Sequence, residues 1–273
     1  MAENGLFPVS VKRHRDRYWR RYRSYDFAQY VSECVLVDDE ICPAAAAFPI
    51  VFRKDASGVS PVAVLSMNKA AGTPFVSPDG SWLAGYVPSA LRCHPFLAEP
   101  SSEASLGTNS PRRLFVDEAS GLVTDDSRDQ AFFTTHGTLT SDLDNILKFF
   151  EYRQFALSRT RTLCSLLEKL GLFNPLEQPT TAALPGGLHE VDVTKLQNLP
   201  RDQIAVLFNG GALQMVQAHQ VSLSHFGWMI RAQRRHSVAP QRDEASTGLN
   251  GFMSALAAEA VVTQQDWEVP CAV

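Results

Sequence analysis

Phe48-Pro49-Ile50-Val51-Phe52-Arg53-Lys54-Asp55 and Pro61-Val62-Ala63-Val64-Leu65 are the two runs that decide the fold of this chain. β-Branched and aromatic residues dominate both runs, which is typical of strands. Between them lies Asp55-Ala56-Ser57-Gly58, whose small and polar residues favour a tight turn. The sequence therefore predicts a hairpin and, with it, a small antiparallel sheet.

The residues that follow predict more turns and strands. Pro78-Asp79-Gly80 has the chemistry of a second hairpin turn, because Pro fixes one backbone angle and Gly tolerates positive φ. A short helix is expected near Tyr86–Arg92. Residues 99–111 are mostly small and polar and predict a loop, after which Leu114-Phe115-Val116 is expected to return to the sheet.

The second half of the chain predicts helices. Apolar residues recur at a helical period from about Ser141 to Leu170, and Gly171 is placed to end that helix. Pro200 suits the first turn of another helix, and a last major helix is expected over residues 212–235, whereas Val191-Asp192-Val193 suggests an edge strand. The predicted fold class is α+β, with a mainly antiparallel sheet from the first half packed with long helices from the second.

Charge is strongly segregated along the 273 residues, which carry a formal net charge of -4. Residues 12–23 contain seven Lys or Arg and only Asp16 as an acid, so this stretch holds +6 and the rest -10. Tyr18, Trp19 and Tyr22 are interleaved among these arginines and could stack on bases beside bound phosphates. Because the remaining charge would repel a polyanion, nucleic acid is unlikely and an anionic membrane surface equally so. A contact within the protein or with a protein partner is favoured.

The same patterns suggest three segments. Residues 1–43 are predicted to be a basic aromatic amino-terminal arm, residues 44–236 an α+β domain, and residues 237–273 an extension with a short docking helix near Phe252–Leu256. No apolar run approaches a membrane span, and the first residues lack the pattern of a secretory signal. Five cysteines without a Cys-x-x-Cys pair indicate reduced thiols. We therefore expect a cytoplasmic protein.

Several short motifs, taken in order, resemble the SapC family, which is named for proteins associated with bacterial surface-layer genes. They are Phe48–Asp55, Pro61–Leu65, Asp79-Gly80-Ser81-Trp82, Gly85-Tyr86-Val87-Pro88, Gly211-Ala212-Leu213, Ala218-His219 and Ser222-Leu223. The resemblance covers approximately Ala44–Arg231. Members of this family are commonly encoded beside flavin-dependent halogenase-like proteins, oxygenases and outer-membrane receptors.

Catalytic chemistry has little support in the sequence. His219 lies on the apolar face of its predicted helix, where a hydrogen-bonded core histidine is more common than a ligand or a base. A metal centre could draw on dispersed side chains without any fixed ligand spacing, and no nucleophile elbow is present. The candidates for such a centre are His94, His136, His189, His219, Asp117 and Glu118. We expect neither a metal nor a cofactor, and the catalytic residues are unknown.

Binding is the function that the sequence favours. The candidate binding residues are Trp82, Tyr86, Arg92, His94 and His219, since aromatic and arginine side chains concentrate binding energy. Packing of Trp82 and Tyr86 within a hairpin is the alternative. The resemblance implies a non-enzymatic accessory protein that binds a protein or peptide partner and presents substrate to a tailoring enzyme, such as a halogenase or an oxygenase. Two alternatives stay open: a metal-dependent oxygenase or hydrolase with dispersed His and Asp ligands, and a surface-layer assembly factor.

Overall fold

The computed structural model describes residues 5–56, 58–68, 72–100, 112–176 and 186–238. The strands there are β1 Leu6–Pro8, β2 Tyr18–Trp19, β3 Glu33–Val35, β4 Ile50–Asp55, β5 Gly58–Val64, β6 Phe96–Pro100, β7 Arg112–Asp117, β8 Val123–Thr124, β9 Gln130–Ala131, β10 Phe173–Pro175 and β11 Leu188–Val191. The helices are α1 Val11–His14, α2 Ile41–Ala45, α3 Ser89–Arg92, α4 Ser141–Lys169, α5 Val193–Gln197, α6 Arg201–Asn209, α7 Ala212–Ser222 and α8 His225–Val238. Contacts group residues 1–234 into one unit and residues 235–273 into another.

A five-stranded antiparallel sheet in the order β10-β11-β4-β5-β3 is the centre of the first unit. Its middle strands, β4 and β5, are the hairpin predicted from the sequence, and Asp55 pairs with Gly58 at its turn. Ile50, Val51 and Phe52 are fully buried, because α7 packs against β4 and α4 against β5. Burial of one such side chain contributes about 1.5–3 kcal/mol. The predicted α+β class, with an antiparallel sheet and long helices from the second half, is confirmed.

The sheet edge differs from the prediction. Leu188–Val191 lies between β10 and β4, so it is an inner strand and not the expected edge strand. The edge is Phe173–Pro175, which follows α4 directly and brings the ring of Phe173 to 4.8 Å from that of Phe52. Three residues are too few for period or composition to indicate a strand, and only the packed neighbour reveals it.

Two smaller antiparallel sheets accompany the central one, in the orders β1-β7-β6 and β8-β2-β9. Leu114-Phe115-Val116 therefore forms a strand as predicted, but in a separate sheet and not in the central one. Burial explains this placement, since a second apolar cluster holds the two small sheets together with the start of α4. Its buried members are Trp19, Phe96, Leu114, Val116, Val123, Phe132 and Leu143.

The basic segment was expected to be an arm, and its described residues are folded into the first unit. Residues 6–8 pair with β7, residues 18–19 are the middle strand of the smallest sheet, and residues 33–35 are an edge strand of the central sheet. The boundaries at residues 43 and 236 stay predictions. The docking helix predicted near Phe252–Leu256 lies outside the described residues.

The helices of the second half follow the prediction with one exception. The left-handed conformation of Gly171, with φ +66°, ends α4, and α6 begins directly after Pro200. The helix expected over residues 212–235 is broken, because α7 ends at Ser222 and α8 starts at His225. The Ser222 hydroxyl donates to the carbonyl of His219 at 2.6 Å, a side-chain bond that competes with helix continuation.

Other short elements of the first half also match the prediction. Val76 and Trp82 form an antiparallel bridge around the Pro78-Asp79-Gly80 turn, and Ser89–Arg92 is the short helix expected after Tyr86. Among the described residues, no helix has the length and apolar character needed to cross a membrane.

Candidate binding cleft

A cleft of about 790 Å³, here called the basic cleft, is lined by residues 19–24, 26, 27, 94, 120, 122 and 128–130. β2 positions it, because Trp19 is held between β8 and β9 and the irregular segment that follows, residues 20–25, supplies much of the lining. The main-chain N–H of Arg20 donates to the carbonyl of Leu122 at 3.0 Å. A second cavity of about 370 Å³ shares Trp19, Arg21, Tyr22 and His94 with the first.

The turn around Gly80 contacts the segment at residues 24–26, which lines part of the basic cleft. The Gly80 carbonyl accepts from the main-chain N–H of Tyr25 at 2.8 Å. Gly80 has φ +79°, and a Cβ added to it would lie 2.0 Å from the Ser24 hydroxyl. Both the left-handed backbone and the close approach therefore require glycine at this position.

Acidic side chains pair with three of the seven Lys and Arg residues at positions 12–23. The Arg13 guanidinium bonds Glu118 at 2.5 Å and Arg17 bonds Asp125 at 2.8 Å, while Arg21 lies 3.7 Å from Asp142 on α4. The guanidinium group of Arg13 is also the main reason why the pKa of Glu118 is lowered. The charge separation seen in the sequence is thus partly closed in space, in agreement with an intramolecular role for the paired arginines.

Two arginines of the basic cleft are left without a carboxylate. Arg20 donates from its guanidinium to the carbonyl of Gly121 at 3.2 Å and forms no ion pair with any described residue. Arg23 is exposed, and its side chain has no hydrogen-bond or ion-pair partner within the described ranges. Arg128, in contrast, is engaged by both carboxylate oxygens of Asp126. The cleft therefore offers two guanidinium groups for an external anion.

Stacked rings form the wall between the two cavities. Tyr22 lies at their centre, with ring centroids 5.2 Å from Tyr25, 5.0 Å from Phe27 and 6.0 Å from His94. His94 stacks on Phe27 at 3.9 Å, with an angle of 9° between the rings. Burial lowers the pKa of His94, and Asp117 opposes this only in part, so the imidazole is neutral at neutral pH. The wall formed by these rings is uncharged, and the arginines line the same cleft beside it.

Three of the residues predicted to bind contact one another beside this wall. The indole N–H of Trp82 donates to the carbonyl of Tyr86 at 2.8 Å, and the guanidinium carbon of Arg92 lies 5.0 Å from the centre of the Tyr86 ring. The Tyr22 hydroxyl lies 3.5 Å from the carbonyl of Arg92, and the ring of Trp82 lies 5.2 Å from that of Tyr25 at an angle of 40°. Trp82, Tyr86, Arg92 and His94 thus belong to one connected group. Within it, Trp82 and Tyr86 are engaged in internal contacts.

A buried carboxylate that sequence reasoning missed organises this group. Glu40 is 4 % exposed and accepts from the Tyr86 hydroxyl at 2.9 Å, the Ser89 N–H at 2.6 Å, the Ser89 hydroxyl at 2.5 Å and the Val37 N–H at 3.3 Å. Arg153 of α4 donates in turn to the Ser89 hydroxyl at 2.8 Å. Glu40 follows Asp38 and Asp39 in an acidic run, and nothing in that run distinguishes the buried carboxylate from its two more exposed neighbours.

His219 lies apart from the other predicted residues, in the central core. Its Nδ1 donates to the carbonyl of Ile50 at 2.7 Å, and its Nε2 accepts from the N–H of Val191 at 3.2 Å. Burial lowers the pKa of His219 to about 4, opposed in part by the bond to Ile50. The neutral imidazole therefore joins β4 to β11, and both of its nitrogen atoms are engaged by main chain.

The side chains proposed for a dispersed metal centre are not brought together. His94 lies in the basic cleft, His219 in the core, His136 in an exposed loop, and His189 beside the carbonyl of Gly187. Among the described residues, no three His, Cys, Asp or Glu side chains are placed to share an ion. His14, a fully buried histidine that the sequence did not single out, lies 3.1 Å from Glu118 and accepts from the Ser10 N–H.

Comparison with known proteins gives one result. No curated protein and no solved structure matches the chain. The family model described as SapC matches residues 9–228, and so it takes in the basic segment that the sequence motifs, starting near Ala44, had left outside. The match covers well over half of the chain, and this protein therefore belongs to the SapC family.

Proposed function

We propose that this member of the SapC family is a cytoplasmic, non-enzymatic accessory protein that binds a segment of a protein or peptide partner in the basic cleft. The observation that carries the proposal is the composition of the cleft. Stacked aromatic rings lie beside two guanidinium groups that no described carboxylate neutralises. Arginine and aromatic side chains are the residue types that dominate binding energy at protein interfaces.

The size and construction of the cleft support a peptide segment as its occupant. A volume of about 790 Å³ is of the order that holds several amino-acid residues, and the adjoining cavity extends the same surface. The wall is held rigidly, because Trp19 is buried in the small sheet and Glu40 binds the neighbouring segment through Tyr86 and Ser89. A rigid surface loses little conformational entropy on binding. In the finer form of the proposal, the partner is a tailoring enzyme that receives its substrate in this complex.

The experiment is affinity purification of the tagged full-length chain from its own host. Three chains are compared: the natural one, Arg23→Glu in the cleft, and Arg161→Glu as a matched control on the exposed face of α4. We expect a partner, identified by mass spectrometry, to be retained by the natural chain and by the control but lost with Arg23→Glu. The complex is then rebuilt from the two purified proteins.

Two results would refute the proposal. In the first, the natural chain retains no partner and elutes alone under every condition. In the second, Arg23→Glu retains the same partner with the same affinity as Arg161→Glu, which would place the interface elsewhere. Thermal unfolding of the three chains is the control for folding. Equal unfolding midpoints would show that neither substitution disrupts the fold.

A further inference from the structure

We infer that the basic cleft selects acidic segments, in which one or two carboxylates close to an aromatic side chain meet Arg20 and Arg23. This inference rests on the proposed function and specifies the chemistry of its ligand. It starts from the balance of charge in the cleft. Of the arginines that line it, Arg21 and Arg128 have carboxylate neighbours, whereas Arg20 and Arg23 do not among the described residues.

The spacing of these two arginines limits the spacing of the ligand carboxylates. Three residues of fully extended chain span at most about 11 Å, so the Cα atoms of Arg20 and Arg23 lie no farther apart than that. Carboxylates two residues apart in an extended peptide lie on one face about 7 Å apart, which is within this limit. A guanidinium group binds a carboxylate with two parallel hydrogen bonds, which adds geometric selectivity to the charge.

The aromatic wall supplies the second part of the recognition. Tyr22, Phe27 and His94 are partly exposed and line the cleft next to the arginines. An aromatic side chain of the ligand can stack on this wall, and such pairs contribute about 0.5–1.5 kcal/mol beyond the burial of area. His94 is neutral at neutral pH, so it adds a stacking surface without adding charge.

The surrounding charges favour a short acidic segment over nucleic acid or an anionic membrane. Asp26 and Asp129 line the same cleft, and Asp126 and Asp142 pair with two of its arginines. A continuous row of phosphates would meet these carboxylates within a Debye length of about 10 Å, where repulsion is not screened. A peptide with one or two carboxylates brings fewer negative charges close to these aspartates than a continuous row of phosphates does.

The test is an array of random 12-residue peptides probed with the full-length chain at low salt. The same array is probed with the double variant Arg20→Gln, Arg23→Gln and with Arg161→Gln as the control. We expect the peptides retained by the natural chain to be enriched in Asp and Glu near Trp, Tyr or Phe. The best of them should bind about 100-fold more weakly to the double variant, at about tenfold for each guanidinium group, and equally to the control.

Each other outcome has a defined meaning. Retained peptides without acidic enrichment, whose binding is lost with Tyr22→Ala, would overturn the inference and leave the proposed function intact. An array that retains no peptide would overturn both. Preferential binding of single-stranded oligothymidylate, or of phosphatidylserine vesicles, over the acidic peptides would overturn the inference in favour of those occupants.

Discussion

Replacing Glu40 by Gln is expected to destabilise the first unit by about 3 kcal/mol. The Glu40 carboxylate accepts four hydrogen bonds, two from main-chain N–H groups and two from hydroxyls. An amide nitrogen cannot accept, so at least one buried donor loses its acceptor, which costs about 1–3 kcal/mol. The remaining hydrogen bonds lose their charged acceptor, which costs about 1 kcal/mol each. The neutral amide avoids the desolvation penalty of a buried carboxylate, and this reduces the total destabilisation.

Urea unfolding followed by far-ultraviolet circular dichroism measures this effect. With a slope of about 3 kcal/mol per molar urea for a protein of this size, the midpoint should fall by about 1 M. Tyr86→Phe should produce roughly half of that shift, because the same carboxylate oxygen keeps the N–H of Ser89. Glu151→Gln, at an exposed carboxylate of α4, is the control and should stay within about 0.5 kcal/mol.

The reasoning about Glu40 would be refuted by either of two results. One is a midpoint for Glu40→Gln that equals that of Glu151→Gln, which would mean that the four short contacts contribute nothing. The other is a larger loss for Tyr86→Phe than for Glu40→Gln, which would place the energy in the packing of the Tyr86 ring and not in the carboxylate.

Three further predictions follow from buried groups. The folded state holds the pKa of His219 at about 4, below its unfolded value, so the free energy of unfolding should fall by about 2 kcal/mol from pH 7 to pH 5. Urea unfolding of His219→Gln should lack this loss. A variant with the same pH profile as the natural chain would contradict the prediction. Gly80→Ala should cost about 2–4 kcal/mol by thermal unfolding, since it adds strain to a left-handed backbone and a steric overlap; a cost equal to that of Gly85→Ala, where space is open, would refute this. Among the described thiols, iodoacetamide at pH 8 should label the exposed Cys42 first. Burial raises the pKa of Cys34 and Cys164 to about 12, so mass spectrometry should find no label on these two thiols until the protein unfolds.

Regular elements with a repeating pattern were the predictable part of the fold. The β4-β5 hairpin, α4 and its end at Gly171 follow from local composition and period, and each stands where the sequence placed it. Short elements were not predictable in the same way. The edge strand Phe173–Pro175 depends on its pairing with residues 189–191, and the break after Ser222 on one side-chain bond to the His219 carbonyl. Neither contact follows from a repeating pattern.

The candidate site shows the same division. The sequence indicated Trp82, Tyr86, Arg92 and His94 as a group because they lie in the densest motifs. The structure places them in one connected group, which His94 joins through Tyr22. Tyr22, which contacts both Arg92 and His94, was noted only as one aromatic of a basic segment. Its place between two cavities could not be inferred, because residues 22 and 94 are joined by packing and not by spacing.

By itself, the sequence determined the fold class, the family-like motifs and the separation of basic from acidic segments, because each of these is a property of neighbouring residues. Only the tertiary structure decided which charges cancel. Arg13 and Arg17 find Glu118 and Asp125 about a hundred residues away, while Arg20 and Arg23 do not find a described carboxylate. Electrostatic energy depends on distances in space, so a net charge read along the chain cannot show which guanidinium groups stay available to a partner.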